Sequence, residues 1–200
     1  MRNNLNKLQR CPWCGNFIIN LAMKQALEEL KIEKHNTVIV SWIWCSGKMS
    51  QYIDWYAAET LHGRGLPFAT GVKLANDKLT VISYAGDGDT YGIWLSHLMH
   101  AARQDINVLH IVADNQNYAL TTGQASPTTP EDIKTSSTPD GNHTKPFDTA
   151  KLIESTGCRY NVRIDGGDLA GLKKAIIEWI QHKWFAHLNI QQACPSFKKW

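Results

Sequence analysis

The stretch LTVISYAGDGD, residues 79–89, joins an apolar run to a Gly-Asp-Gly-Asp sequence. The apolar run has the length and composition of a buried strand, and the glycines mark its end. Further along the chain, a second apolar run, INVLHIVAD (106–114), is followed by Asn115. Between the two strands, YGIWLSHLMHAARQ (91–104) has the apolar spacing of a helix. A strand, a helix and a strand in this order predict a parallel pair whose ends meet at one edge of a sheet.

Helices and strands alternate on both sides of this pair. NFIINLAMKQALEEL predicts a helix over 16–32 with Asn16 as its cap, and TVIVSW predicts a buried strand over 37–42. The segment 116–147, rich in Thr, Ser, Pro and Gly, is too long for a simple connection, so we expect it to be functional or to move as a flap. The remaining predicted elements are a helix near 148–156, a strand RYNVRI (159–164), a helix over 168–182 and a strand AHLNI (186–190). We therefore predict the α/β class: one domain over 1–200, with a doubly wound, mostly parallel sheet flanked by helices.

The composition excludes several classes of protein. With 43% hydrophobic and 20% charged residues, the chain has the make-up of a globular domain with a sizeable core. Its 21 basic and 18 acidic residues give a net charge of +3 without an extended basic stripe, which argues against a nucleic-acid partner. No apolar run approaches the roughly 20 residues that span a bilayer, and the start MRNNLNKLQR lacks the apolar core of a signal peptide. We expect a soluble, cytoplasmic protein that does not bind membranes.

Polar side chains stand at both predicted strand ends. Asp87 follows the first strand and Asn115 follows the second, and their oxygens are of the type that Mg²⁺ prefers. The glycines beside Asp87 would let backbone N–H groups approach a diphosphate. The alternative is an ordinary turn at 86–89 and an Asx cap at the end of the second strand. The spacing between Gly88 and Asn115 favours a diphosphate and Mg²⁺ site.

The cysteines point to metal or redox chemistry. The chain has five, two of them in the sequence CPWC at 11–14, and this pattern does not indicate a disulfide framework. From the residues alone, CPWC with two distant single cysteines could be a zinc site, and CPWC by itself could be a thioredoxin-like redox pair. Only a polar tail, and no strand, precedes Cys11, which argues against the redox pair. Cys158 is interpreted as a small buried residue without a function.

These motifs together resemble the beta subunits of the 2-oxoacid:ferredoxin oxidoreductases, and GDG followed by Asn resembles the diphosphate and Mg²⁺ motif of thiamine diphosphate enzymes. The resemblance extends from residue 11 to Phe197. It is carried by CPWCGN, WCSGK, TLHGRGLPFATGVKLAN, GDGD, SHLMHAAR, DNQNYALTTGQASPTTP, KTSSTPDGN and CPSF. It implies a thiamine diphosphate-binding fold that holds thiamine diphosphate, Mg²⁺ and one [4Fe-4S] cluster.

The resemblance also implies a reaction and a set of partners. A 2-oxo acid would be oxidatively decarboxylated with coenzyme A to give an acyl-CoA and CO₂, and the electrons would pass through the cluster to ferredoxin. In the family, an alpha subunit covers the cofactor and supplies the carboxylate that activates it. We therefore expect a heteromer that is inactive without its alpha subunit, and no acid–base catalyst is assigned within this chain.

Matching positions give the site residues that the resemblance implies. Mg²⁺ would be bound by the side chains of Asp87 and Asn115 and by the backbone carbonyl of Asn117. The cluster would be held from three loops, at 11–14, 45 and 194, with Cys45 beside both cofactors. The implied cluster ligands are Cys11, Cys14, Cys45 and Cys194, and the implied thiamine diphosphate contacts are Ile43, Trp44, Cys45, Ser46, His62, Gly63, Gly88, Asp89, Ala119 and Leu120.

Two departures from the family pattern leave questions open. Thr122 stands where relatives often have a lysine placed toward the substrate, so 2-oxoglutarate, pyruvate and branched 2-oxo acids all remain candidates. Family chains usually continue past CPSF, so an end at Trp200 indicates a truncated or short form without the C-terminal segment. The alternative functions are a non-oxidative thiamine diphosphate decarboxylase or synthase, which has no use for the four cysteines, and a zinc-holding interaction module.

Five tryptophans stand where the family pattern has glycine. Glycine serves where the backbone approaches a ligand or takes a positive φ, and tryptophan does either only at a steric cost. Our hypothesis is that these codons are UGA, read as glycine under a reassigned genetic code. The alternative is a divergent or decayed copy that no longer binds the cofactor. The five residues are Trp13, Trp42, Trp44, Trp94 and Trp184.

Overall fold

The core of the fold is a six-stranded sheet, seen in a computed structural model that describes residues 10–198. Every neighbouring pair in this sheet is parallel. A separate antiparallel pair joins β5 (Asn117–Tyr118) to β6 (Gln124–Ala125). The predicted parallel α/β architecture is confirmed. In spatial order the sheet contains β2 (Tyr56–Glu59), β1 (Thr37–Ser41), β3 (Thr80–Gly86), β4 (Leu109–Asp114), β8 (Ala186–Gln191) and β7 (Tyr160–Asp165).

Helices cover both faces of the sheet, as expected for a doubly wound fold. Side chains alternate between the faces along each strand. In β3, Ile82 and Tyr84 belong to the core cluster that includes residues of α1 (Asn16–Glu29) and α6 (Leu169–His182), whereas Val81 and Ala85 belong to the cluster that includes residues of α3 (Gly65–Ala75) and α4 (Leu95–Arg103). Two separate cores result, one on each side of the sheet. The helices are α1 (Asn16–Glu29), α2 (Trp44–Gly47), α3 (Gly65–Ala75), α4 (Leu95–Arg103), α5 (Thr149–Glu154) and α6 (Leu169–His182), with 3-10 turns at Lys34–Asn36 and Lys48–Gln51 and a π-helical turn at Gly88–Ile93.

Side-chain caps define the start of two helices. The Asp148 carboxylate accepts a hydrogen bond from Lys151 N at the start of α5, and that of Asp168 accepts one at the start of α6. The predicted cap at Asn16 is wrong, because the cap position is Gly15 and no side-chain bond is made there. The Asn16 side chain is fully buried, and its Oδ1 accepts a hydrogen bond from the Tyr84 hydroxyl across the core.

Other differences from the sequence expectation are local. α4 begins at Leu95 and not at residue 91, because the chain after the GDG sequence first forms the π-helical turn. β4 begins at Leu109 and not at residue 106, and neither β2 nor α3 was predicted. Residues 116–147 contain little regular structure beyond β5 and β6. Within residues 10–198, no helix combines the length and apolar character needed to cross a membrane.

Candidate functional site

The carboxyl edge of the sheet gathers the residues that the motifs singled out. β3 and β4 are neighbouring parallel strands, and Gly86 pairs with Ala113 near their ends. Asp87 directly follows β3 and Asn115 directly follows β4, so both lie at this edge. The loop after β1 turns into α2 at the same edge. This is the position at which open α/β sheets bind their ligands.

A small cavity forms between these three segments, and its volume is about 30 Å³. Its walls contain most of the predicted thiamine diphosphate contacts and all three predicted Mg²⁺ positions. Ile43 lies just outside, at the cap position of α2. His62 and Gly63 approach through Asp89, whose Oδ1 is contacted by His62 Nδ1 and lies 3.3 Å from Gly63 N. The predicted residues that line the cavity are Trp44, Cys45, Ser46, Asp87, Gly88, Asp89, Asn115, Asn117, Ala119 and Leu120.

Asp87 is a buried carboxyl next to a second acid. Its side chain is only 1% exposed, and its Oδ2 lies 2.9 Å from Thr128 Oγ1. The same Thr128 oxygen lies 2.8 Å from Asp114 Oδ1. Burial, and next the charge of Asp114, raise the pKa of Asp87 to about 7. The Thr128 hydroxyl carries one proton, so both contacts are hydrogen bonds only when one carboxyl is protonated. A cation bound at Asp87 could replace that proton, so the site fits a metal ion.

The Asn115 and Asn117 side chains present further oxygens at the site. Asn117 N donates to Asn115 Oδ1 at 3.1 Å, and Asn117 Nδ2 donates to the Asn115 carbonyl at 2.8 Å. Asn117 Oδ1 is buried and has no hydrogen-bond partner among residues 10–198. A buried oxygen without a donor is costly unless it meets a cation or a donor from a ligand. The resemblance implies the backbone carbonyl of Asn117 as a ligand, whereas this geometry leaves its side-chain oxygen available.

Gly88 needs to be glycine at this site. A Cβ atom on Gly88 would lie 2.0 Å from the ring of Tyr118, which is too close for any side chain. The Tyr118 hydroxyl in turn donates to the Gly88 carbonyl at 3.3 Å. Because no side chain extends from Gly88, its backbone would be the surface that a ligand meets after β3.

Behind Asp87 lies a buried polar network that sequence reasoning missed. Asn189 Nδ2 donates to Asp114 Oδ2 at 3.1 Å and to the Tyr91 hydroxyl at 2.9 Å. His187 Nδ1 donates to Asn161 Oδ1 at 2.9 Å, so Nε2 accepts the proton of the Tyr91 hydroxyl, 2.9 Å away. Burial lowers the pKa of His187 to about 3, so this histidine is neutral. The sequence Asp114-Asn115 at the end of β4 gave only a weak indication that Asp114 belongs to the site. Asn189 lies on β8, which no motif links to the site.

A second cavity, of about 190 Å³, adjoins the first. It is lined by all four cysteines that the resemblance assigned to a cluster, Cys11, Cys14, Cys45 and Cys194. Burial, and next the charges of the other three cysteines, raise the pKa of the Cys45 thiol to about 11. Cys158 is not in this lining, and its sulfur lies 3.4 Å from the Tyr160 carbonyl. Within residues 10–198, no three Cys, His, Asp or Glu side chains converge as ligands of a single ion would.

The two ends of the described chain meet at this cysteine cavity. Gly15 N donates to the Ala193 carbonyl at 3.2 Å, and Gln192 Nε2 lies 3.3 Å from Cys14 Sγ. Cys11 Sγ lies 3.1 Å from Ser196 Oγ. These contacts hold CPWC against CPSF. The cysteine cavity and the first cavity, called the Asp87 cavity below, share five lining residues: Cys45, Asn115, Ala119, Leu120 and Gln192.

The backbone distinguishes among the five tryptophans. Trp13 and Trp44 have φ values of +63° and +69°, in the left-handed region that favours glycine. Trp42 instead has a buried indole whose Nε1 donates to Ser83 Oγ at 3.2 Å. The indole packs so closely on Gly65 that a Cβ atom on Gly65 would lie 1.4 Å from the ring. Trp94 has φ −138°, which any residue adopts. The conformation therefore agrees with glycine at two of the five positions.

Comparisons with known proteins agree with the geometry. The family described as thiamine pyrophosphate enzyme, C-terminal TPP binding domain, matches residues 34–190. The 2-oxoglutarate synthase subunit KorB of Archaeoglobus fulgidus is 40% identical, over 94% of this chain and 70% of its own length. The 2-oxoacid:ferredoxin oxidoreductase subunit beta of Saccharolobus solfataricus is 42% identical, over 94% of this chain and 62% of its own length.

A solved structure shares nearly the whole fold. It is a 2-oxoglutarate:ferredoxin oxidoreductase from Magnetococcus marinus with 2-oxoglutarate, coenzyme A and succinyl-CoA bound. The match has a TM-score of 0.95 and 33% identity, and it covers 98% of this chain and 67% of that one. The resemblance drawn from the sequence motifs is confirmed: the chain belongs to the family of beta subunits of 2-oxoacid:ferredoxin oxidoreductases and contains their thiamine pyrophosphate-binding domain.

Proposed function

We propose that this chain is the beta subunit of an enzyme that oxidatively decarboxylates a 2-oxo acid to an acyl-CoA and passes the electrons to ferredoxin. The observation that carries the proposal is the shared wall between the Asp87 cavity and the cysteine cavity, in which Cys45 contributes to both. A thiamine site beside a cluster site is what this reaction requires. The alpha subunit, ferredoxin and coenzyme A are parts of the proposal, since the chain spans only 62–70% of these relatives' length.

The Asp87 cavity would hold Mg²⁺ and thiamine diphosphate. Asp87, Asn115 and Asn117 would supply oxygens to the cation, and the backbone at Gly88 would face the diphosphate. The support is the buried Asp87 carboxyl with its raised pKa and the Asn117 oxygen that has no partner among the described residues. When bound, thiamine diphosphate supplies the carbanion that attacks the 2-oxo acid and accepts the electrons left after CO₂ departs.

His62 would fix the loop that faces the cofactor. Burial lowers the pKa of His62, which favours the neutral ring. His62 Nδ1 contacts Asp89 Oδ1, so the ring proton would lie on Nδ1. His62 thus ties the loop before α3 to the end of the GDGD sequence. Its role is to position the loop, and it transfers no proton to the substrate.

The cysteine cavity would hold the [4Fe-4S] cluster. Four thiols arranged around one cavity, and contributed by three loops, fit an iron–sulfur cluster. When bound, the cluster would accept the electrons one at a time and pass them outward. Cys45 would hold it against the wall shared with the thiamine site. A non-oxidative thiamine diphosphate enzyme would leave this arrangement unexplained, and a zinc module would leave the Asp87 cavity unexplained.

The test is anaerobic purification together with the alpha subunit, followed by assays for iron, sulfide and thiamine. We expect a brown complex that reduces ferredoxin only when a 2-oxo acid and coenzyme A are both present. Comparing 2-oxoglutarate, pyruvate and branched 2-oxo acids would identify the substrate, which Thr122 leaves open. A colourless zinc protein without thiamine would overturn the proposal.

A further inference from the structure

Arg10, the half-buried residue just before CPWC, lines the cysteine cavity. Its guanidinium carbon lies 4.5 Å from the centroid of the Tyr52 ring and 5.8 Å from that of the Phe17 ring. Its Nε, Nη1 and Nη2 atoms are all buried and have no hydrogen-bond partner among residues 10–198. The ion pairs found within the same residues do not include Arg10.

A buried guanidinium without hydrogen-bond acceptors would be stabilised by an anion. It presents five N–H donors and stays charged at every pH that a protein tolerates. Aromatic rings attract the charge but accept none of these hydrogen bonds in the way that an anionic atom does. Burial of a charge without such an acceptor is strongly unfavourable. Arg10 lines the cysteine cavity, and its charge favours the thiolate form of Cys14. The anion would therefore lie in this cavity.

The contents of that cavity would be anionic if the proposed function is correct. Four thiolates outweigh the positive charge of the iron–sulfide core, and reduction adds one further electron. A fixed cation nearby interacts more strongly with the reduced state, and the aromatic walls limit screening by water. Lys48 also lines the cavity and its charge acts on the Cys45 thiol, but Lys48 has a further interaction partner, whereas the guanidinium donors of Arg10 lack one among the described residues.

We propose that Arg10 is the counter-ion of the cluster: its guanidinium donates hydrogen bonds to the cluster sulfurs and raises the reduction potential by stabilising the added electron. This proposal rests on the proposed function, because it requires the cluster in the cysteine cavity. The electron comes from the oxidised 2-oxo acid and leaves to ferredoxin. Arg10 gains and loses no proton, and no bond to it forms or breaks.

The test is a potentiometric titration of the cluster, followed by electron paramagnetic resonance, in the complete complex with its alpha subunit. For R10Q we expect the ratio of reduced to oxidised cluster at a fixed potential to fall on the order of tenfold, about 59 mV for a one-electron couple. R10K keeps the charge but loses the planar fork, so its shift should be smaller. R103Q removes an exposed arginine at the end of α4 and should leave the potential unchanged.

The outcomes separate a counter-ion from a purely structural clamp. A clamp between Phe17 and Tyr52 would lower the melting temperature in R10Q and R10K while leaving the potential at the wild-type value, and that result would overturn the proposal. If R10Q retains no iron, R10K decides: a lowered potential supports the counter-ion, and a wild-type potential refutes it. A wild-type complex without iron refutes the proposed function itself and Arg10's role with it.

Discussion

Replacing Trp44 with glycine is expected to weaken the fold and tighten thiamine diphosphate binding at the same time. Trp44 has φ +69°, and glycine recovers the roughly 1–2 kcal/mol that this conformation costs other residues. The indole is 36% exposed, so about two thirds of the roughly 200 Å² that a tryptophan buries is lost, worth roughly 3 kcal/mol. The freedom of glycine in the unfolded chain costs roughly 0.5–1 kcal/mol more. The net loss is about 2 kcal/mol of unfolding free energy, a fall of about 4–8 °C in melting temperature.

Binding should change in the opposite direction, because the indole occupies the site. The cavity that Trp44 lines measures about 30 Å³, whereas sites for small molecules usually measure roughly 300–1,000 Å³. To admit the cofactor, the indole must give up its 3.4 Å contact with His62 Nε2 and its edge contact with the His62 ring at 5.8 Å. Each contact is worth roughly 0.5–1.5 kcal/mol. Glycine avoids this cost, so the dissociation constant should fall on the order of tenfold.

The assay is calorimetric titration of thiamine diphosphate, at saturating Mg²⁺, into the cofactor-free complex with the alpha subunit. Trp179→Gly is the matched control, because Trp179 is 2% exposed on α6 and lines neither cavity. This control should lower the melting temperature and leave the dissociation constant unchanged. The reasoning is refuted if Trp44→Gly binds the cofactor no more tightly than the wild type.

Three further predictions follow from the site and its surroundings. Trp13→Gly should raise the unfolding free energy by roughly 0.5 kcal/mol, because Trp13 has φ +63° and is 91% exposed. In the nucleotide sequence, UGA at the codon for Trp13 would support the glycine hypothesis and UGG would refute it. The folded protein holds a proton on Asp87, with its pKa of about 7, that the unfolded chain releases near pH 4. Cofactor-free protein should therefore lose stability as pH rises between these values. Asp87→Asn should flatten this pH dependence of the unfolding free energy, measured in urea, and should abolish Mg²⁺-dependent thiamine diphosphate binding. An unchanged pH dependence would count against the raised pKa. Cys194→Ser should lose bound iron while Cys158→Ser retains it, and equal iron content in the two variants would contradict the cluster assignment.

The elements that sequence reasoning found are those whose pattern is local. β3 and β4 are largely apolar runs buried on both faces, and α5 and α6 begin within one residue of the predicted starts at 148 and 168. β2 was missed because YAAE is a largely exposed edge strand without an apolar pattern. The π-helical turn at Gly88–Ile93 was missed because the apolar spacing does not distinguish it from the first turn of α4.

The same distinction holds for the candidate site. Asp87 and Asn115 were found because each stands at the end of an apolar strand. Thr128 and Asn189 were missed because they reach Asp87 and Asp114 across long stretches of chain, and only the folded sheet brings them together. The unpartnered donors of Arg10 could not be seen either, since burial without a partner is a property of the folded structure.

The contact between Gly15 and Ala193 would also constrain when the proposed cluster can be assembled. During synthesis three of the four cavity thiols leave the ribosome long before Cys194 does, so the complete set of four thiols exists only after Cys194 has emerged. The thiols assemble only when the segment after β8 docks onto the start of α1, a closure between residues far apart in the sequence that carries a correspondingly large entropic cost. Loading of the proposed cluster is thus expected to be a late maturation step, which follows folding of the sheet and does not nucleate it.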